Sequence, residues 1–313
     1  MTPEVLTVGR VSVDLYPEQI GVPLGAVRTF RKLLGGSPTN VAVAAARLGR
    51  RAAVVTKVGD DGFGSYVREA LAGFGVDGSR VGTDLNLRTP LAFCEIHPPD
   101  SFPLLFYREP TAPDLQLREG DLDLDEVAHV SVFWTTGTGL SEEPSRSTTL
   151  GALRARRRRR VTVHDLDYRA VFWASRDEAG RWGREALSLA TVAVGNREEA
   201  AVALGRELLA EECAQALLAH GPELAVVKLG AEGVVGATAD ELVVVPGLQV
   251  EVLNGLGAGD AFGGALCHGL LAGWELERVL RFASAAGALV ATRLGCADEM
   301  PSEAEVEELL CSV

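Results

Sequence analysis

Gly257-Ala258-Gly259-Asp260 sets a carboxylate where a glycine-rich turn meets the apolar run that follows, through Ala265, Leu266, Leu270 and Leu271. Glycines let a ligand approach the backbone closely, and free amides at a helix N-terminus favour phosphate oxygens. The amides of Gly257, Ala258 and Gly259 are therefore candidates for an anion cradle. Asp260 would repel the same anion. Its placement makes chemical sense if it accepts the proton of a hydroxyl that attacks the phosphate, so Asp260 is the candidate general base. The plain alternative is an aspartate helix cap. Asn196 and Glu199 form a second polar pair, whose i, i+3 spacing puts both side chains on one helix face. No GxGxxG follows the first strand, and no GxxxxGK[ST], HExxH or GxSxG motif is present, which removes the usual signatures of dehydrogenases, P-loop enzymes, zinc proteases and serine hydrolases.

Positioning these groups needs strands that end near one another. Val5 to Val13 reads as a strand, Asn40 to Leu48 as a small-residue helix and Ala52 to Val58 as a strand again. Tyr66 to Phe74 is helical. Val130 to Thr135, Val161 to His164, Thr191 to Val194 and Leu224 to Leu229 continue as apolar strands, and the last third is chiefly helical, over 261–271, 276–293 and 303–311. That alternation predicts βαβ units on a mainly parallel sheet. Residues of about 11–30 and 90–108 break the rhythm. The second stretch reads as a hairpin around His97-Pro98-Pro99-Asp100-Ser101, and the two together are expected to form a small β-sheet lid inserted in a single domain spanning 1–313.

The chain has 313 residues, 47% of them hydrophobic, enough for a large α/β core. A formal net charge of −13 argues against a general nucleic-acid or anionic-membrane binder. The basic run Arg154 to Arg160 is expected to be a solvated helix end. Five cysteines without CxxC spacing fit reduced thiols, and no run approaches the roughly 18 apolar residues of a membrane span, so a cytoplasmic protein is expected.

Four strings in order, Gly35-Gly36-Ser37-Pro38-Thr39-Asn40, Asn196-Arg197-Glu198-Glu199, Lys228-Leu229-Gly230-Ala231-Glu232-Gly233 and Gly257-Ala258-Gly259-Asp260, resemble the signatures of the ribokinase or PfkB carbohydrate kinases. The resemblance runs nearly end to end. It implies a ribokinase-like three-layer αβα domain, ATP and Mg²⁺ as cofactors, and catalysis by Asp260 with the Gly257, Ala258 and Gly259 amides on the migrating phosphoryl group. It further implies sugar contacts from Asp14, Gly35, Gly36 and Asn40, and a nucleotide site from Asn196, Glu199, Lys228, Gly230 and Gly233. Within that site Glu199 faces the metal through water, and the two glycines rank above Lys228. Family lids often pair between subunits, which implies a homodimer through the lid.

Further strings, among them Gly9-Arg10-Val11-Ser12-Val13-Asp14-Leu15-Tyr16, Asp165-Leu166-Asp167-Tyr168-Arg169 and Asn254-Gly255-Leu256, are similar to the branch acting on 5-dehydro-2-deoxygluconate in inositol breakdown. Pro110 and Ala170 depart from that branch, where asparagine and proline are usual. A sugar-acid substrate needs a cation for its carboxylate, and Arg108 and Arg169 are the candidates, each with the alternative of pairing a neighbouring acid. Kinases of 2-keto-3-deoxygluconate, fructose or nucleosides are the alternative activities, and a non-catalytic sugar- or nucleotide-binding regulator is the alternative class.

Overall fold

The computed structural model describes residues 2–312. The first strand, β1 (Val5–Val8), stops at Gly9, whose φ of 135° turns the chain out of the main sheet. The run expected as one strand is thus two: β2 (Ser12–Pro17) belongs to a second sheet and pairs antiparallel with β3 (Phe30–Gly35). Gly36 then begins the return. Its φ is 101°, and a Cβ there would collide with the Arg10 carbonyl, so only glycine fits.

Helix α1 (Ser37–Arg47) leads back to β4 (Ala52–Gly59), and α2 (Gly62–Gly73), capped by the Asp61 carboxylate, leads to β5 (Val81–Asp84). Strands β6 (Leu91–Cys94) and β7 (Leu104–Tyr107) complete the small sheet in the order β3-β2-β6-β7. The βαβ course resumes with α3 (Leu124–His129), β8 (Val132–Thr136), α4 (Ser145–Arg156), β9 (Val161–Asp165), α5 (Arg176–Leu189), β10 (Val192–Asn196), α6 (Arg197–Leu204), α7 (Ala210–Leu218) and β11 (Leu224–Lys228). A hairpin follows, β12 (Gly233–Ala237) and β13 (Leu242–Pro246), and the chain ends on α8 (Ala258–Ala272), α9 (Leu276–Ala291) and α10 (Glu303–Ser312). The hairpin lies outside the expected βαβ course. Its valine-rich strands around the polar Thr238-Ala239-Asp240-Glu241 are antiparallel edge strands, needing no crossover helix.

The large sheet has nine strands in the order β13-β12-β11-β10-β9-β8-β1-β4-β5, parallel from β11 to β5. Its period-two alternation feeds two cores. Val5, Val54, Trp134, Val163 and Val226 pack on α1, α2 and α8–α10, while Leu6, Val55, Phe133, Ala193 and Val227 pack under α3–α7. Both faces are covered, so the strands read as nearly continuous apolar runs. The result is the three-layer αβα architecture with a small second sheet.

The basic run lies at the end of α4 with Arg154, Arg157, Arg159 and Arg160 exposed, as expected, but two of its arginines turn inward. Arg156 is fully buried and donates to the carbonyls of Val127, Val130, Ser131 and Val161 and to the Thr162 hydroxyl. Arg158 donates to the carbonyls of Ala190 and Gly221. Planar guanidinium groups here satisfy backbone oxygens at strand entrances that water cannot reach.

Candidate active site

Strand β1 lies between β4 and β8, so the chain leaves it in one direction first and in the other later. Ligands of open α/β sheets lie outside the carboxyl ends of the strands at such a switch point. Arg10, Asp165 and Lys228 stand at or just beyond the ends of β1, β9 and β11.

The turn before α8 is pinned from below. Asn254, fully buried, donates from Nδ2 to the Leu294 carbonyl at 2.7 Å and accepts from the Leu256 amide at 3.0 Å. Gly257 is left-handed at φ 84°, and a Cβ there would lie 2.6 Å from Cys296 Sγ. Helix α8 begins at Ala258, three residues earlier than expected, which puts Asp260 inside its first turn. The Asp260 amide bonds the Gly257 carbonyl at 3.1 Å. Among the described residues the amides of Gly257, Ala258 and Gly259 donate no backbone hydrogen bond, so they are the free donors at the helix's positive end.

The Asp260 carboxylate accepts from Asn40 Nδ2 at 2.8 Å. That contact depends on how closely α1 and α8 pack: a Cβ at Gly264 would come within 2.8 Å of the Ala45 backbone nitrogen. Burial raises the Asp260 pKa against the hydrogen bonds of Asn40 and Ser37, making the ionised form a stronger base than an exposed aspartate. Asp14 follows the same logic on β2. Burial lifts it to about 6, although the Ser12 hydroxyl donates to it at 2.6 Å and the Arg10 charge opposes the rise. Gly35 has no room for a Cβ beside the Asp14 carboxyl, so this strand pair closes tightly around it.

Lys228 is half-buried and turned towards the site. Its Nζ would lie 3.3 Å from a Cβ on Gly259, beside the free amides. Burial works against its charge, but the carboxylates of Asp165, Glu199 and Asp260 outweigh it and raise its pKa. Asp165 and Glu199 are themselves raised by burial, with Lys228 holding them down. Asn196 and Glu199 form a reciprocal cap on α6: the Glu199 amide donates to Asn196 Oδ1 at 2.9 Å, and the Asn196 amide to Glu199 Oε2 at 2.7 Å. Asn196 is exposed and Glu199 buried, so only the glutamate faces the charged cluster. Gly230 and Gly233 bound the turn from β11 to β12 and need their positive φ of 60° and 117°. Space around Gly230 is open.

Both arginines singled out in the sequence carry acidic partners. Arg108 Nη2 lies 2.7 Å from Asp114 Oδ2, with both side chains buried, and its guanidinium sits 5.3 Å from the centre of Phe172. Arg169 Nε lies 3.3 Å from Asp167 Oδ1. Asp167, at φ 26°, also accepts from the Thr138 hydroxyl at 2.8 Å; burial would raise its pKa, but Arg169, Arg10 and that hydrogen bond bring it below the ordinary value. Arg10 escaped the sequence argument. Its signal was an arginine directly after a strand-ending glycine in an otherwise apolar run, a place where a charged residue is seldom buried without a reason.

Free amides on an N-terminal turn, a buried base and an adjacent ammonium make an arrangement suited to moving a phosphoryl group. Residues 2–303 match the profile of the pfkB family of carbohydrate kinases. The chain belongs to that family. Two relatives named 5-dehydro-2-deoxygluconokinase, from Clostridium perfringens and Bacillus licheniformis, are 34% and 30% identical to it, each over 313 residues. The first alignment covers 98% of this chain and 92% of the relative, the second 99% and 96%. An uncharacterized sugar kinase from Pyrococcus horikoshii in complex with ATP superposes with a TM-score of 0.83 at 28% identity, covering 97% of this chain and 99% of that one. A fructokinase from Vibrio cholerae with fructose, ADP and calcium gives 0.85 at 28% identity, covering 99% and 100%. This pfkB chain is an ATP-binding sugar kinase with a ribokinase-like fold. No helix of the described residues is long and apolar enough to cross a membrane.

Proposed function

We propose that this kinase transfers the γ-phosphoryl group of ATP to the C6 hydroxyl of 5-dehydro-2-deoxy-D-gluconate, a step of inositol breakdown in the cytoplasm. The observation that carries the proposal is the near full-length likeness to relatives named for that substrate, joined to a hydrogen-bonded base beside a free anion turn. Asp14, Gly35, Gly36 and Asn40 hold the sugar so that its primary hydroxyl faces Asp260. The carboxylate takes the hydroxyl proton as the oxygen attacks in line, and Asn40 fixes its orientation throughout. The Gly257, Ala258 and Gly259 amides receive the charge on the migrating group, with Lys228 beside them. Arg108 and Arg169 border the sugar side as candidate carboxylate contacts, each already paired with an acid, Asp114 and Asp167.

Magnesium fits this donor set only as an ion held mainly by phosphate and water. No group of three metal-ligating side chains occurs among the described residues, and the buried Glu199 is the carboxylate that would face such an ion, with Asn196 at its cap. When bound, the ion neutralises phosphate oxygens. Asn196, Glu199, Lys228, Gly230 and Gly233 then form the nucleotide side.

The outer face of the small sheet supports the proposal of a homodimer through this lid. Phe30, Phe93 and Tyr107 form an edge-to-face row with centroids 5.4 Å apart, and Leu105 and Tyr107 are 47% and 59% exposed. Sedimentation at the mass of one protomer would remove the dimer from the proposal. The substrate is tested by a panel of 5-dehydro-2-deoxygluconate, 2-keto-3-deoxygluconate, fructose, ribose and adenosine. The first should rank highest by kcat/KM, and a panel in which it is not among the best substrates would sink the substrate assignment while leaving the kinase class standing.

A further inference from the structure

Three arginines near the sugar side differ in what their charges already do. Arg108 is ion-paired with Asp114 and Arg169 with Asp167, although Arg108 Nε and Nη1 and Arg169 Nε also lack a hydrogen-bond partner. Arg10 is 7% exposed, makes no ion pair and donates no side-chain hydrogen bond among the described residues, and its Nε is buried without a partner. Its backbone is fixed, because the Arg10 carbonyl accepts from the Thr39 hydroxyl at 3.0 Å and closes over Gly36. Its guanidinium lies 5.7 Å from the centre of the Phe106 ring on β7, and Phe106 packs against Phe172 at 4.9 Å. The small sheet therefore roofs a largely buried cation that makes no ion pair.

Arg156 shows what a buried arginine looks like when its task is structural: its guanidinium bonds five protein oxygens. Leaving a buried guanidinium without such partners costs free energy that a ligand can recover. Arg10 acts on Asp14, Asp260 and Asp167, of which the first two bracket the proposed sugar position, yet forms an ion pair with none of them. The missing partner is an anion that enters with the substrate.

We propose that Arg10 is the specificity-determining residue that receives the carboxylate of the acceptor sugar acid through its two-pronged guanidinium. The assignment rests on the sugar-acid activity proposed above. Planar pairing suits a carboxylate, and a lysine at the same place would supply charge without the fork. A neutral sugar leaves Arg10 unmatched, so discrimination comes from the arginine and must outweigh the repulsion of the neighbouring carboxylates.

The test is equilibrium binding by titration calorimetry of 5-dehydro-2-deoxy-D-gluconate, fructose and ATP to the wild-type protein and to Arg10→Gln and Arg10→Lys. Loss of a charge-assisted pair should raise the Kd of the sugar acid roughly 100-fold in Arg10→Gln and about 10-fold in Arg10→Lys, with the Kd of ATP within about threefold of wild type. Equal losses for acid and ATP would overturn the assignment, since Arg10 would then serve the phosphates or the fold. So would an unchanged sugar-acid Kd. If Arg10→Gln does not fold, Arg10→Lys decides alone: an acid Kd equal to wild type, or one that rises no more than that of ATP, overturns the proposal. A wild-type protein that prefers fructose to the acid sinks the substrate assignment and Arg10 with it. One that prefers the acid but ignores Arg10→Gln sinks Arg10 only.

Discussion

Asp14→Asn should make the protein more stable and less able to bind sugar. The Asp14 carboxyl is buried, and burial lifts its pKa from the ordinary 3.8 to about 6. With each pH unit worth about 1.4 kcal/mol, the ionised form is disfavoured in the folded state by about 3 kcal/mol at neutral pH. The sign follows from the direction of the shift. Above pH 6 both folded and unfolded chains carry the charge, so the whole penalty is present; it shrinks as pH falls from 6 towards 3.8 and is gone below. Asparagine keeps an oxygen for the Ser12 hydroxyl and carries no charge. Urea unfolding at pH 7.5 should show Asp14→Asn more stable by up to about 3 kcal/mol, and the gap should close near pH 4. In the same preparation the sugar KM should rise at least tenfold, because the charged acceptor for sugar hydroxyls is lost. Equal or lower stability of Asp14→Asn at pH 7.5 would refute the reasoning, and would mean that the Ser12 hydrogen bond and the Arg10 charge outweigh burial.

Asp260→Asn should lower kcat by about 10³ while leaving the Kd of ATP within a few-fold, checked by steady-state turnover and nucleotide titration. Because burial raises the Asp260 pKa, kcat/KM of the wild type should fall as pH drops through a value above the ordinary 3.8; an acid limb at or below 3.8 would contradict the role of burial. Gly257→Ala should lower kcat by roughly 10²-fold or more, since the new methyl meets Cys296 Sγ and the left-handed backbone resists it. Adding Cys296→Ala should restore thermal stability in part but not the rate, as measured by melting and turnover.

Much of the fold is legible in the sequence because the parallel strands are short apolar runs separated by helices, a rhythm that survives without tertiary information. The signatures that carry the site are legible because three of them sit at strand ends and the fourth opens α8. What was hidden depends on distance across the fold. Lys228 reads as a plausible surface charge until Asp165, Glu199 and Asp260 converge on it from three other elements. Arg156 sits in a run of arginines that local sequence cannot sort into buried and exposed members. The break between β1 and β2 rests on one glycine in a continuous apolar stretch, so periodicity alone ran through it. Arg10 is hidden for the same reason, lying inside a stretch whose periodicity reads as a single strand.

The small sheet and the glycine turn before α8 are fastened together at two points. Tyr16 on β2 meets Cys296 Sγ at 2.7 Å, and Cys296 in turn fills the space against Gly257. A Cβ on Gly255 would lie 2.9 Å from the Phe102 ring, in the segment joining β6 to β7. The small sheet is therefore braced against the residues that pack around this turn, so a substitution at Tyr16 or Phe102 should reach Gly257 and the direction of its amide through Cys296 and Gly255 without touching the turn itself.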